Sequence, residues 1–136
     1  MTNMIIGIGI DIIDISRIET IFNKYGKKFI SRCFSDHECN LFFSEVNVNK
    51  INFLAKRFAA KEACAKALGT GFSKGIFMKD IQVENDINGK PKLKLLNYAK
   101  KYLNKMTKKK YNIQISLSDE KKYAIANVII SEINEI

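Results

Sequence analysis

At 136 residues, 46% hydrophobic and with a formal net charge of +9, the chain is one domain in size with enough apolar content for a modest core. No apolar run approaches the roughly 18 residues a membrane helix needs, and Met1 to Asn3 lack the basic region, long apolar core and cleavage site of a signal peptide. The charge calls for an acidic partner, and nucleic acid, an acidic protein surface or a polyphosphate substrate would each serve.

Met4 to Asp14 alternates with period two and predicts a strand. Ile6, Ile8, Ile10 and Ile12 share one face; Gly7, Gly9 and Asp11 share the other. Two missing side chains beside a carboxylate leave room for a ligand or for a tightly packed helix. Ser16-Arg-Ile-Glu19 reads as a capping box with Ser16 as N-cap. Ile18, Ile21, Phe22 and Tyr25 then carry a helix to a stop at Gly26. Arg17, Lys24, Lys27, Lys28 and Arg32 gather in and just after it, either as a solvated basic face or as a docking surface. A second capping box, Ser35-Asp-His-Glu38, opens a short helix through Leu41 and Phe42, and Asn47 to Lys50 reads as a polar loop.

From Phe53 to Leu68 there is no Gly or Pro, six residues are Ala, and Gly69 is the natural stop, so a long helix is predicted. At about 100° per residue, Lys56, Arg57, Lys61, Glu62 and Lys66 point in nearly every direction instead of along one wet stripe. The plain reading of Glu62 is a surface pair with Lys66 one turn on. Gly69-Thr-Gly71 is either a simple helix end or a turn whose amides meet phosphate. It follows the helix, so it is no Walker loop.

Phe72 to Lys79 reads as a loop. Asp80 to Asn85, the turn Asn88-Gly89 and Lys92 to Leu95 predict a hairpin. Leu96, Ala99, Leu103 and Met106 make an amphipathic helix, closed by Lys108-Lys-Lys110. Tyr111 to Ser118 alternates, Asp119 to Lys122 turns, and Tyr123 to Ile133 returns. The order predicts an α+β fold with a mainly antiparallel sheet, residues 1–136 forming a single domain.

Cys33, Cys39 and Cys64 are odd in number and lack Cys-x-x-Cys spacing. Reduced thiols in a cytoplasm-like compartment are expected, or in a plastid-type stroma if a targeting segment has been removed. His37, the only histidine, stands between Asp36 and Glu38 at a helix start, where solvation is the plain reading.

Taken together, Gly7-Ile-Gly-Ile-Asp11, Arg57-Phe-Ala-Ala-Lys-Glu-Ala63, Lys66, Gly69-Thr-Gly71, Asn88-Gly-Lys-Pro91 and Ser116-Leu-Ser118 before Tyr123-Ala124 form a specific pattern covering nearly the whole chain. It resembles the phosphopantetheinyl transferases of the holo-acyl-carrier-protein synthase type. The resemblance implies transfer of 4′-phosphopantetheine from coenzyme A to a serine of apo-acyl carrier protein, in support of fatty acid biosynthesis. The hydroxyl would attack the β-phosphate in line, releasing adenosine 3′,5′-bisphosphate. It implies Mg²⁺ on Asp11 and Glu62, with Lys66 on the same phosphates and completing the catalytic group. For coenzyme A it implies Arg57 at the 3′-phosphate, with Lys61, Gly69, Thr70, Gly71, Pro91, Ser116 and Asp119 along the molecule. The acidic carrier protein would meet Arg17, Lys24, Lys27, Lys28 and Arg32. The family's small members also imply a homotrimer with sites between subunits.

Asp119 departs from the pattern, because many relatives have His there. An ionised carboxylate cannot donate a hydrogen bond, so Asp119 is left as acceptor, base or metal-shell residue, and a metal-bound water is the expected general base. The competing class is a basic nucleic-acid module using Lys108 to Lys110 and the first helix. That class interleaves aromatic and basic residues on a strand face, whereas these strands are Ile-rich, so no nucleic-acid partner is expected.

Overall fold

A computed structural model describes residues 4–44 and 49–134. Its first strand, β1 (Met4–Asp14), runs straight into α1 (Ile15–Tyr25), followed by α2 (Lys27–Cys33), α3 (Asp36–Ser44) and α4 (Lys50–Leu68). A short 3-10 turn leads to the hairpin β2 (Ile81–Asn85) and β3 (Pro91–Leu95), then α5 (Asn97–Met106), β4 (Lys110–Asp119) and β5 (Tyr123–Ile133). The two sheets, β1-β5-β4 and β2-β3, are antiparallel throughout, and the predicted α+β class holds.

Alternation sorts the larger sheet into two unlike faces. Ile13, Ala124, Ala126, Val128 and Ile130 are buried on one face, and α4 lies across it. The room beside Asp11 is taken by this helix: a Cβ on Gly7 would stand 2.1 Å from the Ala67 carbonyl oxygen. The small side chains of Ala63 and Ala67 permit that approach from the helix side. On the other face Ile8, Ile10 and Ile12 are 65%, 62% and 60% exposed, and Ile125 lies opposite Ile12.

The sheet covers one side of α4, while α1, α3 and β2 cover others, so two of its charged side chains, Arg57 and Lys61, are buried along with its alanines. Lys61 is the clearest case. Its ammonium donates to Glu38 Oε1 at 2.6 Å, to the Met78 carbonyl at 3.1 Å and to the Ile81 carbonyl. Glu38 also accepts from the amides of Ser35 and Val83, so one buried ion pair joins α3, α4 and β2. Ser35 Oγ accepts in turn from the Glu38 amide at 3.2 Å, the capping box read from sequence.

The first predicted cap is corrected. Asp14, not Ser16, caps α1, accepting from the Ser16 amide at 2.9 Å and from the Ser16 hydroxyl at 2.7 Å. Gly26 ends α1 as expected but, at φ 52°, also redirects the chain into α2. α4 begins at Lys50, earlier than predicted, with Asn49 accepting from the Asn52 amide at 3.2 Å. Asn47 and Val48 of the predicted polar loop lie outside the described residues.

Candidate active site

The close approach of β1 and α4 brings together the residues at its midpoint. Lys66 donates to Asp11 Oδ1 at 3.2 Å and to the Ile10 carbonyl at 2.9 Å, reaching from helix to strand. Glu62 stands one helical turn before Lys66, so both side chains leave α4 on the same side. Burial pushes the Glu62 carboxyl above the usual carboxylate range and the Asp11 charge adds to the push, while Lys66 and Arg17 oppose it. Two carboxylates and two cations thus act on one another at this point. The surface-pair reading of Glu62 does not hold, since Lys66 hydrogen-bonds to Asp11 and Glu62 is half-buried.

Among the described residues no cluster of three or more His, Cys, Asp or Glu could hold a metal ion. The donor set offered here is two carboxylates. That suits Mg²⁺, which is commonly held by one or two carboxylates with waters and substrate phosphates completing its octahedron. Asp11 comes from a strand and Glu62 from a helix locked to it, so their relative position is fixed before any ligand arrives.

Arg57 looks elsewhere. Five residues before Glu62, it is turned by about 140° around the helix axis. The residue is 5% exposed, and its guanidinium lies over the Phe53 ring at 3.7 Å. It lines a cavity of about 400 Å³ with Asn52, Phe53, Lys56, Asn85 and Asp119. Asp119 Oδ2 accepts from Asn52 Nδ2 at 2.8 Å, and Oδ1 stands 3.8 Å from the Lys56 ammonium. Pro91 pairs with Asn85, which places it beside this cavity. Asn52 and Lys56 escaped the sequence reading. Asn52 precedes the predicted start of the helix at Phe53, and the Asp119 they serve is supplied by the distant end of β4.

Five of the expected cofactor residues lie apart from the Arg57 cavity. Lys61 is corrected outright: with all three ammonium donors spent inside the core, it presents nothing to a phosphate. The Gly69, Thr70 and Gly71 amides are also spent, each donating to a carbonyl in the last turn of α4. That turn is the plain helix end, with Gly69 in the left-handed region at φ 78°. It also stands about 18 Å along the helix from Arg57. Ser116 pairs with Asn127 on the exposed face of the sheet, opposite to α4.

The basic face is brought together only in part. Arg17 is close enough to oppose the rise of the Glu62 carboxyl. Lys28 and Arg32 edge a groove of about 750 Å³ whose floor includes Ile21, Tyr25, Phe29 and Phe58. Lys24 lies over the Tyr25 ring at 5.2 Å, whereas Lys27 turns toward α3, 5.9 Å from the Phe43 ring.

Comparison with known proteins gives this arrangement a family. Residues 7–128 match the model of the 4′-phosphopantetheinyl transferase superfamily. The chain is 46% identical over 128 residues to the holo-[acyl-carrier-protein] synthase of Orientia tsutsugamushi, covering 94% of this chain and 98% of that one. A Plasmodium yoelii acyl carrier protein synthase with ADP bound superposes with a TM-score of 0.85 at 35% identity, over 98% of this chain and all of that one. A Bacillus anthracis holo-(acyl-carrier-protein) synthase in complex with CoA (3′,5′-ADP) gives 0.78 at 36% identity, covering 95% and 98% of the two chains. The matched span runs from Gly7, where β1 meets α4, through the Asp11–Glu62 pair and the Asp119 cavity, so the chain belongs to the 4′-phosphopantetheinyl transferase superfamily.

Proposed function

We propose that the chain is a Mg²⁺-dependent holo-acyl-carrier-protein synthase. It transfers 4′-phosphopantetheine from coenzyme A to a serine of apo-acyl carrier protein, releases adenosine 3′,5′-bisphosphate, and supports fatty acid biosynthesis. The observation that carries the reading is the meeting of Asp11, Glu62 and Lys66 where β1 and α4 touch.

Transfer from a pyrophosphate demands neutralised charge and an aligned nucleophile. Magnesium held by Asp11 and Glu62 would supply much of that neutralisation. Lys66 supplies the rest from the chain itself: Asp11 and Ile10 use two of its N–H groups and hold the third in place for a phosphate oxygen. Arg57, turned away on the same helix, binds the 3′-phosphate at the other end of the substrate, with Asp119 and Pro91 beside it.

Carrier protein docks along Arg17, Lys24, Lys27, Lys28 and Arg32. The apolar groove edged by Lys28 and Arg32 supports this placement, since it offers burial next to charge. The working unit is a homotrimer of single-domain chains, with sites completed between subunits. Supporting it are the uncovered isoleucines of β1, the placing of Ser116 on that same face and the divergence of Arg57 from Glu62.

Incubation with coenzyme A, Mg²⁺ and apo-carrier protein should add one phosphopantetheine mass to the carrier. An unmodified carrier, together with salt-sensitive RNA binding, would point to the nucleic-acid module instead.

A further inference from the structure

The Arg57 cavity contains a carboxylate that a phosphate site does not need. Arg57 is its deep cation, fixed by burial and by the Phe53 ring. Lys56 stands nearer solvent, and the side chains of Lys56 and Asp119 are 34% and 28% exposed. Asp119 engages Lys56 at 3.8 Å and the Asn52 amide at 2.8 Å. An ammonium and a side-chain N–H are the ordinary donors to a phosphate oxygen. Here both are already turned to an internal anion, which itself repels an entering phosphate.

We propose that Asp119 is an affinity-setting residue, an internal anion that competes with the 3′-phosphate of the nucleotide for Lys56 and Asn52. The inference rests on the reading of this cavity as the 3′-phosphate subsite. Adenosine 3′,5′-bisphosphate keeps the 3′-phosphate of coenzyme A, so a group that loosens one loosens both. Some substrate affinity is lost and the product leaves sooner. Because Lys56 and Asp119 are partly exposed, their pairing is screened and the competition is moderate.

Asp119→Asn tests this directly, since its amide oxygen still accepts from Asn52 while the charge is removed. Binding of adenosine 3′,5′-bisphosphate and of AMP to the wild type and the variant is measured by calorimetry. The variant should bind the bisphosphate about three- to tenfold more tightly, with AMP unchanged. The KM for coenzyme A should fall in parallel, and that for carrier protein should not move. Adding Lys56→Gln should return bisphosphate affinity to near the wild-type value, because the released ammonium is the source of the gain. Unchanged or weaker bisphosphate binding in Asp119→Asn overturns the competition while leaving the subsite standing. Equal affinity of the wild type for AMP and bisphosphate removes the subsite itself, and the competition with it.

Discussion

Gly9 and Ala63 meet backbone to backbone, so closely that a Cβ on Gly9 would lie 1.8 Å from the Ala63 carbonyl oxygen and 2.8 Å from the Ala67 amide nitrogen. Neither atom can rotate away, because both belong to the helix backbone. This contact seats the strand on which Asp11 lies, two residues further along. Gly9→Ala must therefore push β1 and α4 apart, destabilising the protein by about 3 kcal/mol or more and carrying turnover down with it. An unchanged urea midpoint would show that the two elements have slack.

Asp11→Ala and Glu62→Ala should each reduce turnover on the order of 10²-fold or more, as other preorganised electrostatic sites do when one member is lost. Both side chains lie at the edge of the core, so far-UV circular dichroism and cooperative unfolding should persist. Near-normal turnover of Glu62→Ala would exclude that carboxylate from the reaction.

Lys61 and Glu38 give a different signature. Glu38→Ala strands a fully buried ammonium and should cost about 3–5 kcal/mol. Replacing both at once, with Lys61→Met and Glu38→Leu, removes the stranded charge and should recover most of that loss. The comparison is made by chemical denaturation. A double variant as unstable as Glu38→Ala would mean that packing, and not the unpaired charge, sets the loss.

For carrier protein, charge at the rim mainly governs encounter. Arg17→Glu should raise the KM for carrier protein strongly and leave that for coenzyme A nearly unchanged, with the effect fading at high salt. Reversing Lys108, Lys109 and Lys110 should do much less. The opposite ranking would move the docking surface to the far end of β4.

Cys64 supplies a test at alkaline pH. Burial pushes its thiol from 9.0 up to about 12. A folded-state value above the unfolded one means that the unfolded chain releases the proton first. Stability is therefore intact below pH 9, and falls by about 1.4 kcal/mol per pH unit between there and the folded value. Cys64→Ala should be less stable at neutral pH, because it leaves a small void. It should also lose stability less steeply between pH 9 and 10.5 in denaturant titrations. Parallel curves for the two proteins would contradict the burial of that thiol.

Local signals were read correctly where one stretch decides its own conformation. The period-two strand, the Asn88-Gly89 hairpin, the box at Ser35 and the stop at Gly69 are of this kind. The Ser16 cap was misplaced because Asp14 and Ser16 are both good caps, and β1 enters α1 without a loop to separate them. The charges around α4 pointed in nearly every direction without marking which of them is buried, and Lys61 is paired in the core with Glu38, 23 residues away. No helical periodicity can show a partner on another element. The Asp11–Glu62–Lys66 group was legible only as a joint motif, and the Asn52–Lys56–Asp119 cluster not at all, since it exists only after the last turn of the sheet has formed.

The order of strands in the larger sheet also sets the order in which it can be completed. Asp14 pairs with Tyr123 and Met4 with Glu132, so the middle strand is synthesised after both of its neighbours. At about 5–20 residues per second, β1 emerges several seconds or more before β5. Once α4 has followed, the β1 glycines can seat it, but until β5 arrives the hydrogen-bonding edge of β1 has no partner and its isoleucines face water. The nascent chain is then most open to association with other chains. Trimming Tyr123 to Ile133 would therefore not shorten an edge: it would leave β1 and β4 as two separated ribbons, with α4 resting across the gap.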